Sequence, residues 1–178
     1  MTFYQGSNDR TAVLLPGRFY TPNHPLLYFA RDVLLAQGWS VEEVWWNPED
    51  LASDEAVKRR VEAVLDGVAS SASLVVGKSL GSLAMPSVVK RGLPAIWLTP
   101  LFNRPELVAA SKNIVAKTLL VGGTADDSWN GNIARASGQQ VLELPGADHG
   151  LAVPGNPLAS VGLLTELVAT MTQFVESI

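Results

Sequence analysis

Short apolar runs alternate with stretches of helical periodicity from about residue 11 to the end of this 178-residue chain. Most of the runs are continuously apolar instead of alternating, which is typical of parallel strands covered on both faces. Strands that alternate with helices pack as a doubly wound sheet with right-handed crossovers. The pattern predicts an α/β fold, a three-layer α/β/α sandwich around a mostly parallel sheet of about six strands. No linker or repeat divides the chain, so we expect a single domain over residues 1–178.

The same periodicities give the order and the bounds of the elements. Strands are predicted at 11–15, 40–46, 72–76, 95–98, 118–121 and 140–144, and helices at 24–37, 53–69, 80–91, 104–112, 130–137 and 157–177. Ser53 is the expected N-cap of the second helix, whose valines recur on one face. Pro86 removes an amide from the helix at 80–91, so a kink is expected there.

The segment Gly77-Lys78-Ser79-Leu80-Gly81 stands between the apolar run 72–76 and the next helix. Gly-x-Ser-x-Gly at such a turn is a nucleophile elbow, in which a strained backbone exposes the serine hydroxyl above the sheet. Its glycines are needed because Cβ atoms there would strike a neighbouring strand or helix. The same residues end a phosphate-binding pattern, but the first glycine of that pattern would be residue 72, which is alanine. A nucleotide site is therefore disfavoured.

An acid and a histidine follow the serine in chain order, each directly after a predicted strand. Asp126 follows the strand at 118–121, and His149 follows the strand at 140–144. A serine hydroxyl needs a base to take its proton as it attacks, and a carboxylate on the far ring nitrogen orients that base. Because ligands bind beyond the carboxyl ends of parallel strands, we predict that Ser79, His149 and Asp126 meet there as nucleophile, base and acid.

Other interpretations of these residues stay open in the sequence. Asp127 is a rival for the acid, and Asp148 is a poorer one because it adjoins the histidine and is better suited to ordering its loop. Taken singly, Ser79 also fits a helix N-cap and His149 an exposed turn. The chain has two histidines, and the other, His24, precedes Pro25 at a helix start, where a structural role is favoured.

The loops at the strand ends also supply candidates for binding. An oxyanion needs two backbone amides, and we predict those of Leu80, directly after the nucleophile, and Arg18, in the loop after the first strand. The aromatic residues predicted to line the substrate pocket are Phe19, Phe102 and Trp129, although each also fits a core position.

Composition excludes several classes of function. The net charge is −4 and the only marked basic cluster is Lys58-Arg59-Arg60, so neither nucleic acid nor an anionic membrane is an expected partner. There is no cysteine, which excludes disulfides and thiolate metal sites, and no cofactor or metal is predicted. We find no leader pattern at the N-terminus and no run that approaches the length of a membrane span, so a cytoplasmic location is expected.

These motifs resemble the α/β-hydrolase superfamily, and within it the small lidless serine hydrolases of the retinoblastoma-binding-protein-9 and YdeN type. The resemblance spans the chain from about residue 11 and rests on Pro16-Gly17-Arg18, Gly77–Gly81, Gly123-Thr124-Ala125-Asp126 and Ala147-Asp148-His149-Gly150. It implies a minimal α/β-hydrolase fold in which the matching serine, aspartate and histidine form the triad.

The chain departs from the family pattern at three places. Pro16-Gly17 stands where His-Gly is usual, and residues 1–10 are too few for the two additional strands of larger members. Only residues 99–103 separate the strand at 95–98 from a helix, where large members insert a lid. The short connection implies an open, shallow site.

The sequence thus predicts a carboxylesterase-like serine hydrolase that cleaves a small-molecule ester or related acyl bond through an acyl-Ser79 intermediate. Two alternatives remain. One is a binding or regulatory module that keeps the fold with little turnover. The other is an acyltransferase, thioesterase or peptidase that uses the same three residues.

Overall fold

The computed structural model describes residues 1–68 and 72–178, so the last position of the helix predicted at 53–69 lies outside the described residues. The strands are β1 (Thr2–Tyr4), β2 (Thr11–Leu15), β3 (Ser40–Glu43), β4 (Ala72–Lys78), β5 (Ala95–Leu98), β6 (Thr118–Gly123) and β7 (Gln140–Leu144). They form a seven-stranded sheet in the order β1-β3-β2-β4-β5-β6-β7. β1 is antiparallel to β3, and the other neighbouring pairs are parallel. The predicted α/β sandwich is confirmed, with one strand more than expected.

Helices cover both faces of the sheet. They are α1 (Pro25–Ala36), α2 (Asp54–Val68), α3 (Met85–Arg91), α4 (Pro105–Ser111), α5 (Gly131–Ala136) and α6 (Pro157–Glu176), with a 3-10 helix at Ser79–Ala84. One core cluster joins α1 and α6 to the sheet, and a second joins the sheet to α2, α3, α4 and α5. The buried apolar residues of the inner strands therefore belong to one core or the other, which explains the continuous apolar runs in the sequence.

The additional strand, β1, lies at one edge of the sheet and is fixed by a buried cation. Glu43 pairs with Thr2 across β1 and β3, and its Oε1 accepts a hydrogen bond of 2.8 Å from Nη1 of Arg31 on α1. The Arg31 guanidinium also lies over the rings of Tyr4 and Tyr28, 5.0 and 4.6 Å from their centroids. Residues 1–10, which were expected to be too few for two additional strands, thus supply one short strand.

The helix predicted at 80–91 is divided in two. Residues Ser79–Ala84 form the 3-10 helix, and α3 begins at Met85 with Pro86 in its first turn. A proline there costs nothing, because the first amides of a helix have no intrahelical acceptor. The expected kink is therefore a change of helix type just before the proline.

Between β5 and α4 the described chain has only residues 99–104, so nothing is inserted there as a lid. The expectation that no run approaches spanning length was wrong: by length and composition alone α6 meets that criterion, with a mean hydropathy of 1.4. Its Leu167, Met171 and Phe174 belong to the core shared with α1. Apolar and small residues on its outer face raise the hydropathy further.

Candidate active site

Ser79 lies at the first residue after β4, and its backbone is in the left-handed region with φ of 50°. That conformation is strained for a residue with a Cβ atom and turns the side chain away from the strand. The flanking glycines make the turn possible. A Cβ on Gly77 would stand 2.5 Å from the Trp97 ring on β5, and one on Gly81 would stand 2.2 Å from the Leu15 carbonyl oxygen on β2.

A chain of hydrogen bonds joins Ser79, His149 and Asp126. The Ser79 Oγ lies 2.7 Å from Nε2 of His149, and Nδ1 of the same ring lies 2.8 Å from Oδ2 of Asp126. A carboxylate only accepts hydrogen bonds, so Nδ1 carries the ring proton and Nε2 is free to accept from the hydroxyl. The structure thus brings together the serine, base and acid predicted from strand ends as far as 70 residues apart in the chain.

The surroundings of the acid distinguish the two adjacent aspartates. The Asp126 side chain is 2% exposed, and its Oδ1 accepts a hydrogen bond of 2.8 Å from the Ser128 amide. Asp127 is exposed to solvent. Asp148 accepts hydrogen bonds from the amides of Gly150 and Ala152 through Oδ1, so it organises the turn that carries His149.

His24 lies away from this chain of hydrogen bonds. Its Nδ1 accepts from the Thr21 amide at 3.0 Å, and its ring packs against Tyr20 with centroids 4.7 Å apart. These contacts shape the segment that enters α1, so His24 has the structural position that was favoured.

The two predicted oxyanion donors are both near the serine: Leu80 follows it in the chain, and Arg18 lines the same cavity. Leu80 is in the first turn of the 3-10 helix, where backbone amides have no earlier carbonyl to bind. Arg18 lies at the tip of a tight turn closed by a 3.1 Å hydrogen bond from the Gly17 amide to the Tyr20 carbonyl. The Arg18 side chain turns away and donates to the Leu51 carbonyl at 2.8 Å.

Of the three aromatic residues predicted to bind substrate, only Phe19 lines the cavity at Ser79. Phe19 is 89% exposed. Phe102 is 4% exposed and belongs to the core, with its ring centroid 5.7 Å from that of Trp129. The Trp129 indole covers Gly122 and donates to Glu143 at 2.8 Å. The structure thus places neither Phe102 nor Trp129 among the residues that line the cavity at Ser79, because both rings pack at the end of the sheet.

Ser82, directly after the elbow, and Lys78 within it have contacts that sequence analysis missed. Ser82 Oγ donates to the Ser79 carbonyl at 2.6 Å and accepts from the Leu101 amide at 3.1 Å, which ties the strained turn to the loop after β5. Lys78 is 2% exposed, and its Nζ donates to the His149 carbonyl at 2.8 Å. Burial lowers the pKa of Lys78 to about 8, against the opposing attraction of Asp126 and Asp148.

Three adjoining spaces open at this end of the sheet. The cavity around Ser79 has a volume of about 290 Å³ and is lined by Gly17, Arg18, Phe19, Tyr20, Lys78, Ser79, His149 and Gly150. Tyr20 and Gly150 also line an apolar groove of about 250 Å³ between the histidine turn, α1 and α6. Residues 17–20 border a third pocket of about 160 Å³ with Trp45 and Trp46. Within residues 1–68 and 72–178 we find no cluster of side chains that could hold a metal ion.

Neither a protein-family model nor a curated protein sequence matches this chain. Solved structures do resemble it. Est1E from Butyrivibrio proteoclasticus, in a complex with ferulic acid, superposes with a TM-score of 0.78 at 12% identity, covering 99% of this chain and 93% of that one. Mouse alpha/beta hydrolase domain-containing protein 10 gives 0.72 at 12% identity, with the same coverage of 99% and 93%.

A third similar structure is the α/β serine hydrolase without a lid from Xanthomonas campestris. It superposes with a TM-score of 0.67 at 12% identity and covers 97% of this chain and 84% of the other. These superpositions define the class of fold: the chain has the α/β-hydrolase fold in its small, lidless form.

Proposed function

We propose that this protein is a serine hydrolase that cleaves a small ester through an acyl-Ser79 intermediate. The observation that carries the proposal is the chain of short hydrogen bonds from Ser79 through His149 to buried Asp126. The similar structures support the class of reaction, since they include Est1E bound to ferulic acid, an esterase domain and a lidless serine hydrolase.

The geometry suits a two-step acyl transfer. As Ser79 Oγ adds to the carbonyl carbon, its proton passes to Nε2 of His149, and Asp126 stabilises the imidazolium that forms. The Leu80 and Arg18 amides receive the oxyanion. Collapse of the intermediate breaks the bond to the alcohol, which leaves with the proton from Nε2. His149 then takes a proton from a water molecule as the water oxygen attacks the acyl carbon. The bond from that carbon to Ser79 Oγ breaks, Nε2 returns the proton to Oγ, and the acid is released.

The apolar groove indicates which part of the substrate is apolar. The alcohol must leave within reach of Nε2, and the groove adjoins the cavity that holds His149, since Tyr20 and Gly150 line both. No lining residue is charged, and the two polar groups are occupied: Tyr20 accepts from the Leu26 amide, and Ser160 accepts from the Val153 amide. The groove therefore suits an uncharged alkyl or aryl alcohol portion.

The first experiment is labelling with a fluorophosphonate, followed by peptide mapping, on wild type and Ser79→Ala. We expect stoichiometric labelling at Ser79, none in the variant, and a fall in kcat on the order of 10⁴–10⁶-fold for any ester that wild type hydrolyses. Failure of folded wild type to react would overturn the proposal. Products formed with added alcohols or amines then distinguish hydrolysis from acyl transfer.

The groove is tested with two series of esters. In one, acetates carry alcohols from methyl to hexyl, and in the other, methyl esters carry acids of increasing length. Ala152→Phe narrows the groove and should lower kcat/KM for hexyl acetate much more than for methyl acetate. Val115→Phe is the control, because Val115 is 89% exposed and lies outside the groove. A selective effect of Ala152→Phe on the long acids would instead assign the groove to the acyl portion.

A further inference from the structure

Lys78 is a buried cation that the mechanism above does not use. Its side chain is among the largest that are fully buried in the described residues, and it belongs to the residue directly before the nucleophile. Removing an ammonium group from water is costly unless it is paired. A buried lysine at this position suggests a functional role, because an apolar side chain would fill the same space without the free-energy cost of desolvating a charge.

The side chain of Lys78 contacts the backbone of His149, the proposed base. Nζ donates to the carbonyl oxygen of His149 at 2.8 Å and lies 5.1 Å from the centroid of the Tyr20 ring. The turn that carries His149 is otherwise ordered from within by Asp148. Lys78 is thus a direct link between the end of the nucleophile strand and the backbone of the base, 71 residues further along the chain.

We propose that Lys78 is a positioning residue, whose ammonium group holds the His149 carbonyl and thereby keeps the imidazole between Ser79 and Asp126. The residue acts through His149 and does not itself transfer a proton to the substrate. This role rests on the proposed hydrolase function and adds to it a residue outside the predicted serine, histidine and aspartate.

The surroundings of Lys78 make this hold dependent on pH. The ionisable groups that face it are Tyr20 from the loop after β2, Asp126 from the loop after β6, and Asp148 and His149 from the loop after β7. Burial raises the pKa of Tyr20 to about 12, so the phenol stays neutral. Burial lowers the pKa of Lys78 to about 8, so the ammonium loses its charge in mildly alkaline solution.

Activity should therefore fall above about pH 8. A neutral amine donates a weaker hydrogen bond than an ammonium, so the His149 backbone is held less firmly as Lys78 loses its proton.

The test compares wild type, Lys78→Met, Lys78→Arg and the surface control Lys90→Met between pH 5.5 and 10. The readouts are kcat and KM for p-nitrophenyl acetate and the rate of fluorophosphonate labelling. For Lys78→Met we expect kcat to fall on the order of 10–100-fold with KM little changed, and the alkaline decline to disappear. Lys78→Arg keeps a charge that does not titrate, so it should retain more activity and also lose the decline. Lys90→Met should match wild type.

The absence of cysteine from the chain permits a further variant. Lys78→Cys can be alkylated with bromoethylamine in denaturant and then refolded. The product has a side chain as long as that of lysine, and its amine has a lower pKa than the lysine amine. We expect the activity of Lys78→Cys to recover on alkylation, with an alkaline decline at lower pH than in wild type.

The outcomes separate this proposal from the hydrolase function. An active wild type without an alkaline decline overturns the role of Lys78 even where its variants fail to fold. So does a folded Lys78→Met with unchanged kcat and profile. A wild type that neither labels nor turns over ester overturns the hydrolase function itself.

Discussion

The adjacent aspartates Asp126 and Asp127 differ in what surrounds their carboxylates. The Asp126 side chain is 2% exposed and bonded to His149, whereas Asp127 faces solvent. Asp126→Asn keeps the shape but presents an amide that favours the wrong tautomer of the ring. We expect kcat to fall on the order of 10⁴-fold, the loss that follows when the aspartate of a Ser-His-Asp triad is changed in this way. The measurement is steady-state kinetics with an ester that wild type hydrolyses.

The matched control for that substitution is Asp127→Asn. It removes the same charge one residue along the chain and should leave kcat within about twofold, because exposed charges interact weakly. An equal loss in both variants would show that charge near the site matters and that the bond to Nδ1 does not.

At this scale the sequence predicts the residues that carry chemistry better than those that support them. Ser79, Asp126 and His149 each follow a buried strand, so their meeting depends only on the rule that parallel strands end at one edge. The hold of Lys78 on His149 depends on how two distant loops pack, which no local pattern encodes. Phe102 lies in the core and away from the cavity, because an aromatic residue at a strand end can turn inward as readily as outward.

The 3-10 helix that begins at Ser79 approaches β2 so closely that a side chain on Gly81 would strain the fold. A Cβ on Gly81 would stand 2.2 Å from the backbone oxygen of Leu15, which cannot move without displacing the strand. We expect Gly81→Ala to lower the free energy of unfolding by roughly 1–3 kcal/mol or more. Urea unfolding followed by circular dichroism measures the change.

Gly162 in α6 is the control for that substitution. A Cβ there meets nothing within 4 Å. Gly162→Ala should therefore raise the free energy of unfolding by about 0.5–1 kcal/mol, since alanine favours a helix interior. If Gly81→Ala proved as harmless, the close packing of the elbow on β2 would be refuted.

Element boundaries show where local patterns stop being informative. The strands and helices with long periodic segments were predicted in the right order, and Ser53 does cap α2 by accepting from the Ala56 amide at 3.1 Å. β1 was missed because three residues carry too little periodicity. Its place depends on pairing with β3 and on Arg31, both of which are tertiary contacts.

For the molecule as a whole, buried Lys78 couples stability to pH in the opposite sense to activity. Its pKa is about 8 in the folded protein and about 10.4 in an unfolded chain. Between these values the unfolded chain binds the additional proton, so the free energy of unfolding contributed by Lys78 rises with pH. The contribution is on the order of 3 kcal/mol across that window and is absent below it.

Urea unfolding of wild type and Lys78→Met at several pH values between 7 and 11 tests this coupling. The difference between the two proteins should change steadily over that range in favour of wild type, because the variant lacks the titrating amine. A constant difference would mean that Lys78 titrates alike in both states and is not held in a buried environment.

The sheet ends at β7, which pairs with β6 on one side only and is followed by the turn that carries His149. Edge elements open with less free energy than the centre of a fold, whereas β4 with Ser79 lies in the middle of the sheet. In a urea titration, we expect the labelling rate of Ser79 to fall at lower denaturant than the far-ultraviolet circular dichroism. Coincident curves would show that β7 opens only with the whole molecule.

The reactivity of Ser79 and the folded structure would then be lost under different conditions. Opening of β7 alone would move His149 away from Ser79 reversibly, while most of the polypeptide stays native. The melting temperature would therefore be higher than the temperature at which Ser79 stops reacting. Substitutions that stabilise β7 against local opening would keep Ser79 reactive under harsher conditions without raising the melting temperature.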